Sequence, residues 1–217
     1  MKSLLNKEFK LAASPLAFIF LAFSLMTLLP GYPILCGAFF MGLGLFQSFQ
    51  YSREANDTMY TVLLPVKKSD FVAAKYTFTC TIEMIGFALF AVLTAVRMTA
   101  LSGAEPYLRN ALMNASPLFL AFTLLVFTAF NVFFVGGFFK TGYKMGIPFL
   151  LYGIAAGVII VAAETLHHLP GLAFLNTPSG ERLGLQFACL AAAAVIYAAA
   201  TALSCRTSKA RFESIDL

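Results

Sequence analysis

Long apolar segments, separated by short polar connections, constrain this chain more than any other feature of its sequence. A helix needs ~20 residues to cross a hydrocarbon core that is ~30 Å thick, and six segments come close to that length. Their approximate limits are Leu11–Leu29, Pro33–Phe49, Tyr76–Val96, Pro117–Phe139, Met145–Ala163 and Leu183–Ser204. Only 12% of the 217 residues are charged, which is too few for the surface of a water-soluble domain of this size. The sequence therefore predicts an all-α polytopic membrane protein with six transmembrane helices.

One transmembrane domain is predicted over residues 1–217, with three parts outside the spans. These parts are an entry helix, a loop between the second and third spans, and a tail, at residues 1–12, 50–75 and 205–217. In the entry helix, Leu4, Leu5, Phe9 and Ala12 share one helical face, and the lysines lie elsewhere. This pattern is typical of a helix that lies in the membrane interface.

The distribution of lysine and arginine predicts the orientation of the chain. If the N-terminus is inside, twelve of the fifteen basic residues fall on the inner side, and only Arg97, Arg109 and Arg182 fall outside. Short cytoplasmic loops carry the excess of basic residues, so both termini and the 50–75 loop are predicted to be cytoplasmic. The basic residues on the inner side then face anionic membrane lipid. This position accounts for the net charge of +5, so binding to nucleic acid is not required to explain it.

A short amphipathic helix from Glu54 to Leu63 is predicted within the 50–75 loop, and Pro65 ends it. Its apolar positions share one face and its polar positions another: Ala55, Met59, Val62 and Leu63 against Glu54, Asp57, Thr58 and Thr61. We expect Met59, Val62 and Leu63 to pack on the helix bundle. The polar face, with Glu54, Asp57 and Thr61, is then expected to project away from it.

The same loop resembles that of the type-2 class of bacterial ABC exporter permeases, in particular their small six-helix subfamily. The shared elements are Glu54, Asn56-Asp57, Leu64-Pro65, Lys67-Lys68 and Val72-Ala73-Ala74-Lys75-Tyr76. The resemblance implies that the loop carries a coupling helix, which docks on a separate ATP-binding subunit. It also implies that two permease subunits, identical or related, enclose an export path across the cytoplasmic membrane. The residues expected to couple to the ATP-binding partner are Glu54, Asp57, Thr58, Thr61, Leu64 and Pro65.

No phosphate-binding loop of the GxxxxGK[ST] kind occurs in the chain. The chain is therefore not expected to be an enzyme by itself or to hold a cofactor, and ATP and magnesium are expected on the partner subunit. The four cysteines have no spacing typical of a metal site. Glu164, His167 and His168 are interpreted as an interfacial cap and loop, since three residues in one short stretch are weak evidence for a metal.

Glu83 is the unusual residue of the third span, because an acid within a membrane is costly and commonly faces the protein interior or a water-filled cavity. Tyr76, Thr79 and Gly86 share its face at helical spacing. Two interpretations stay open. Glu83 and Thr79 line the permeation path or a subunit contact, or Glu83 is a hydrogen-bonded packing residue.

A membrane-embedded hydrolase would need an HExxH or GxSxG motif or an equivalent catalytic set, and the chain contains none of these. A membrane immunity or sensor protein that binds a peptide without transporting it stays an alternative to the permease.

Overall fold

The computed structural model of the chain describes residues 2–141, 144–172, 176 and 182–215. Every regular element in this described part is a helix. Four helices are long and apolar enough to cross a membrane: Lys68–Thr99, Pro117–Thr141, Gly146–Leu166 and Leu183–Glu213. A fifth span is formed if the bent pair Ser3–Ala12 and Pro15–Leu28 crosses as one unit. The all-α membrane architecture is thus confirmed, with four or five candidate spans in these residues where six were predicted.

The first helices form the bent pair. Helix α1 spans Lys2–Lys7 and continues as a π-helix over Glu8–Ala12, and α2 spans Pro15–Ile19 and continues as a 3₁₀-helix over Phe20–Leu28. The two halves meet at 88°. Ser14 explains the break, because its side chain accepts a hydrogen bond from the Leu16 backbone N–H at 3.3 Å and so caps α2.

The next three helices are α3 at Cys36–Glu54, α4 at Asp57–Leu63 and α5 at Lys68–Thr99. Helix α4 lies within the 50–75 loop, and α3 and α5 lead into it and out of it. Helix α3 corresponds to the predicted second span but is not among the candidate spans. Gln47, Gln50 and Arg53 in its last turns lower its hydropathy, although its first half is apolar.

The second half of the chain contains the central helix of the bundle. The remaining helices are α6 at Glu105–Leu108, α7 at Pro117–Ala129, a π-helix at Phe130–Val135, α8 at Gly136–Thr141, α9 at Gly146–Leu166 and α10 at Leu183–Glu213. The Pro117–Thr141 run is the most enclosed, with 72% of its apolar window buried, against 17% for α10. Because α10 continues to Glu213, most of the predicted tail is helical. The last two residues of that tail, 216–217, lie outside the described residues.

Helix α8, the last part of the central Pro117–Thr141 run, approaches α10 closely. A Cβ added at Gly136 would lie 2.8 Å from the Ser204 hydroxyl oxygen. Small residues at such positions let membrane helices pack without a gap. This contact brings α10 against the π-helix, where one of the polar clusters described below is built.

Candidate functional site

The helical backbone is interrupted at Asn56, between α3 and α4. Asn56 has a φ of 52°, in the left-handed region that asparagine tolerates better than most residues. Glu54 is therefore the last residue of α3, whereas Asp57 begins α4. The predicted single helix from Glu54 to Leu63 was wrong in this respect, because the left-handed residue separates the two.

A cluster of four charged side chains lies beneath α4, and we call Lys7, Glu8, Asp57 and Lys75 the loop cluster. Lys7 donates from Nζ to both carboxylate oxygens of Asp57, at 2.8 and 2.9 Å, and to the Thr61 hydroxyl at 2.9 Å. Its Nζ also lies 3.1 Å from Glu8 Oε1. Lys7 thereby joins the entry segment to α4.

Lys75 forms the other half of the loop cluster. Its Nζ lies 2.7 Å from Glu8 Oε2 and 3.6 Å from Asp57 Oδ2, and it donates to the Ser52 hydroxyl at 2.8 Å. Ser52 in turn donates to Asp57 Oδ2 at 2.9 Å. Lys75 and Glu8 are 2% and 1% exposed. Two lysines thus balance two acids, which is the condition under which such buried charges are tolerated.

The environment of Asp57 keeps its carboxylate ionised. Burial acts to raise the pKa of Asp57, but the charges of Lys75 and Lys7 and the hydrogen bonds from Lys7 and Ser52 outweigh it. The pKa of this carboxyl therefore lies below its ordinary value. Asp57 is an anion at neutral pH and holds both lysines.

The faces of α4 are oriented differently from the prediction. Asp57 and Thr61 turn into the molecule, and Thr61 is only 2% exposed. The apolar residues that face outward are Met59, Tyr60, Leu63 and Leu64, which are 50%, 67%, 81% and 53% exposed. Only Val62 packs against the core as expected. The amphipathic pattern was correct, but the lysines of α1 and α5 attract its polar face inward.

The other residues predicted to couple to a partner occupy varied positions. Glu54 is exposed and accepts a hydrogen bond from Gln50 at 3.1 Å. Thr58 is half-buried, and Pro65 is exposed beyond the end of α4. Glu54, Leu64 and Pro65 are thus accessible, whereas Asp57 and Thr61 serve the loop cluster.

A second polar cluster lies within the apolar layer around Glu83, which is 1% exposed. Its Oε2 accepts hydrogen bonds from Asn131 Nδ2 at 2.8 Å and from the Tyr197 hydroxyl at 2.7 Å. Asn131 Nδ2 also donates to the Thr201 hydroxyl at 3.3 Å. The prediction that Glu83 faces protein is confirmed. We call Glu83, Asn131, Tyr197 and Thr201 the Glu83 cluster.

The π-helix at Phe130–Val135 makes a backbone acceptor available beside this cluster. The Asn131 carbonyl oxygen accepts from the Ser204 hydroxyl at 3.0 Å and from the Tyr76 hydroxyl at 3.4 Å. The same carbonyl oxygen also accepts the backbone bond from the Gly136 N–H, five residues on, and such π-turns inside α-helices are frequent at functional sites. Tyr76 also forms hydrogen bonds with Ser204 at 2.8 Å and with Ser208 at 3.0 Å.

An open groove of ≈ 890 Å³ runs between α5 and α10. Its lining is mostly apolar and includes Cys80, Met84, Tyr197 and Lys209. Glu83 and Thr79 are buried and do not belong to this lining, and the Thr79 hydroxyl donates to the Lys75 carbonyl at 3.0 Å. A path-lining role for Glu83 and Thr79 stays a prediction.

Glu164 and His167, at the end of α9, hold a connecting segment. Glu164 Oε2 accepts from the Met113 backbone N–H at 2.8 Å, and His167 Nε2 lies 3.1 Å from the Ala111 carbonyl oxygen. No group of three or more potential metal ligands occurs among the residues that the structure describes.

The most informative residues of the loop cluster were missed from sequence. Lys7 was interpreted only as a topology signal, Lys75 as a topology signal and part of the family motif, and Glu8 was not considered. A lone acid in a basic entry segment was the available signal for Glu8.

Apolar helices joined by buried polar clusters, with an exposed short helix at one end, define a polytopic membrane protein. A family model described as ABC-2 family transporter protein matches residues 3–209. The chain belongs to this family and is a permease component of an ABC transporter, which implies association with an ABC ATP-binding subunit. Searches of curated proteins and of solved structures gave no match.

Proposed function

We propose that this chain is the transmembrane subunit of an ATP-driven exporter in the bacterial cytoplasmic membrane. ATP and magnesium bind the separate ATP-binding subunit, and this chain supplies half of the translocation path. The observation that carries the proposal is the orientation of α4. The loop cluster holds the polar face of α4 and leaves its apolar face exposed at one end of the bundle.

The docking surface that we propose consists of Met59, Tyr60, Leu63 and Leu64, with Glu54, Thr58 and Pro65 at its rim. Contiguous exposed apolar residues outside a membrane span mark an interaction site. Aromatic and aliphatic residues in the centre of such a surface supply most of the binding free energy. Asp57 and Thr61 contribute to docking indirectly, because they fix the orientation of α4.

Six spans with cytoplasmic termini agree with the positions of the charged groups. Lys68 Nζ donates to the Ile215 carbonyl oxygen at 2.5 Å, and Lys7 bonds Asp57, so both ends of the described chain lie beside the α4 loop. The predicted topology assigns most basic residues to this end. Helix α3 has 19 residues and a length of about 28 Å, enough for it to serve as the second span.

A second permease subunit, identical or related, completes the path in this proposal. Helix α10 and the α5–α10 groove offer surface that this chain does not cover itself. The remaining exposed apolar surface contacts membrane lipid. Glu83 and Thr79 are the polar residues that we propose near the path.

Substitution of the docking surface tests this proposal. Leu63→Asp should weaken copurification of the ATP-binding subunit by about thirtyfold, which corresponds to ~2 kcal/mol for a central interface residue. Leu108→Asp is the matched control, because Leu108 is 59% exposed on α6, away from the loop. Both variants should reach the membrane at normal levels.

Equal copurification of Leu63→Asp and the unchanged chain would contradict docking through α4. If no ATP-binding subunit copurifies with the unchanged chain from its native membrane, the permease proposal itself fails. The immunity or sensor alternative would then be preferred.

A further inference from the structure

We propose that the neighbouring residues Lys75 and Tyr76 of α5 join the entry segment, α4, α5 and α10 into one rigid body at the loop end of the molecule. This inference rests on the proposed function in one respect only: the ATP-binding subunit is what displaces α4. Lys75 and Tyr76 are positioning residues in this account, because they act through the helices that they hold.

Lys75 holds the entry segment and α4. From its own helix, α5, it contacts an acid of each, Glu8 at 2.7 Å and Asp57 at 3.6 Å. It also donates to Ser52, the α3 residue that bonds Asp57. The entry segment, the α3–α4 region and α5 therefore meet at one buried ammonium group.

Tyr76 holds α10 and the π-helix. Successive residues of a helix are separated by ~100° around its axis, so the side chains of positions 75 and 76 point to different neighbours. The Tyr76 hydroxyl lies 2.8 Å from Ser204 Oγ and 3.0 Å from Ser208 Oγ, one turn apart on α10. It also lies 3.4 Å from the Asn131 carbonyl oxygen. One hydroxyl thus contacts two helices.

Aromatic packing reinforces the connection between α5 and α10. The Phe71 ring lies 5.8 Å from the Phe212 ring of α10, and Phe212 lies 5.4 Å from Phe139 of α8. Lys7 Nζ lies 4.9 Å from the centre of the Phe71 ring, and such a cation–ring contact is favourable. Phe71 is one turn before Lys75. The same stretch of α5 therefore contacts the entry segment through Lys7 and α10 through Phe212.

These contacts resist sliding because their groups are buried. Apolar side chains can exchange one packing partner for another, but displaced charges inside the molecule would lose partners that water does not replace. Lys75, Glu8 and Tyr76 are all at most 3% exposed. Displacement of α4 is therefore expected to move α5 and α10 with it, rather than to stretch the contacts between them.

Distance measurements between spin labels at Asn6 and Thr207 test the rigid body. Both side chains are exposed, on α1 and on α10, and neither takes part in the loop cluster. The labels are placed in a cysteine-free version of the full chain in nanodiscs. A single narrow distance distribution is expected for this reference protein.

Tyr76→Phe is the first variant, because it removes one oxygen and keeps the ring beside Phe139. Its distribution should lose the single maximum and broaden. Thr77→Val is the matched control, since the exposed Thr77 hydroxyl bonds only the Ala73 carbonyl of its own helix, and it should leave the distribution narrow. Lys75→Met should also broaden the distribution, and Lys75→Arg, which keeps the charge, should restore part of the narrow component.

The result that would overturn the inference is a Tyr76→Phe distribution as narrow as the reference in the isolated chain. The same labels are then measured in the complex with its ATP-binding subunit, trapped with ATP and vanadate. There the reference distance should stay unchanged while copurification and ATP hydrolysis are normal, and a large shift would also contradict a rigid body. Failure of any ATP-binding subunit to bind would instead contradict the proposed function, and leave the isolated-chain result standing.

Discussion

The loop cluster and the Glu83 cluster hold buried acids in two different ways. In the loop cluster, two lysines lie against two acids within 2.7 to 3.6 Å. In the Glu83 cluster, the described donors to the acid are neutral, a tyrosine hydroxyl and an asparagine amide. The first arrangement depends on balanced charge, whereas the second depends on hydrogen-bond donors.

This difference indicates which substitutions each cluster can tolerate. Removal of one charge from a balanced buried set leaves its partners uncompensated, which is more costly than removal of a hydrogen bond. Replacement of an acid by an amide should therefore be tolerated in the Glu83 cluster and not in the loop cluster.

The largest effect is expected from Lys75→Met. This change leaves Glu8 without its main partner and removes one of the two cations near Asp57, so the free energy of unfolding in detergent should fall by ~3–5 kcal/mol. Lys67→Met is the control, because Lys67 is exposed and its loss should change the free energy by less than ~0.5 kcal/mol.

A double variant sharpens this prediction. Glu8→Gln together with Lys75→Gln removes one charge of each sign and leaves the Lys7–Asp57 pair balanced. It should therefore be more stable than Lys75→Gln alone. A double variant that loses the sum of both single effects would contradict a coupled, charge-balanced cluster.

A smaller effect is expected at Glu83. Glu83→Leu leaves the Asn131 amide and the Tyr197 hydroxyl without their acceptor, and should lower the free energy of unfolding by ~1–3 kcal/mol. Glu83→Gln keeps a carbonyl oxygen that can accept both hydrogen bonds, so its effect should stay below ~1 kcal/mol. Equal losses for Gln and Leu in the same detergent unfolding assay would mean that the charge of Glu83 matters, and the comparison between the two clusters would not hold.

Much of the fold could be predicted because membrane helices are encoded locally. Runs of apolar residues gave the four clear spans. Two helices also begin at a local Ser-Pro pair, Ser14-Pro15 and Ser116-Pro117, in which the serine accepts a backbone hydrogen bond. A membrane span at α3 is less clear from hydropathy, since the last turns of this helix are polar and lead into the 50–75 loop.

The arrangement of the site depends on contacts between distant segments, which periodicity does not encode. The pattern of α4 showed an apolar and a polar face, but which face turns inward depends on Lys7 and Lys75, 50 residues before and 18 residues after Asp57. Glu83 was easier, because its position in an apolar span was itself informative. Its partners Asn131 and Tyr197 lie on other helices, and periodicity within one span does not identify them.

Photocrosslinking from α4 tests the central claim most directly, namely that the exposed apolar face of α4 contacts the ATP-binding subunit. A photoreactive amino acid at Tyr60, which is 67% exposed, is compared with one at Glu213, which is exposed at the end of α10 on the same side of the bundle. The account predicts a crosslink to the ATP-binding subunit from position 60 and little or none from position 213. Crosslinking from position 213 without crosslinking from position 60 would contradict it.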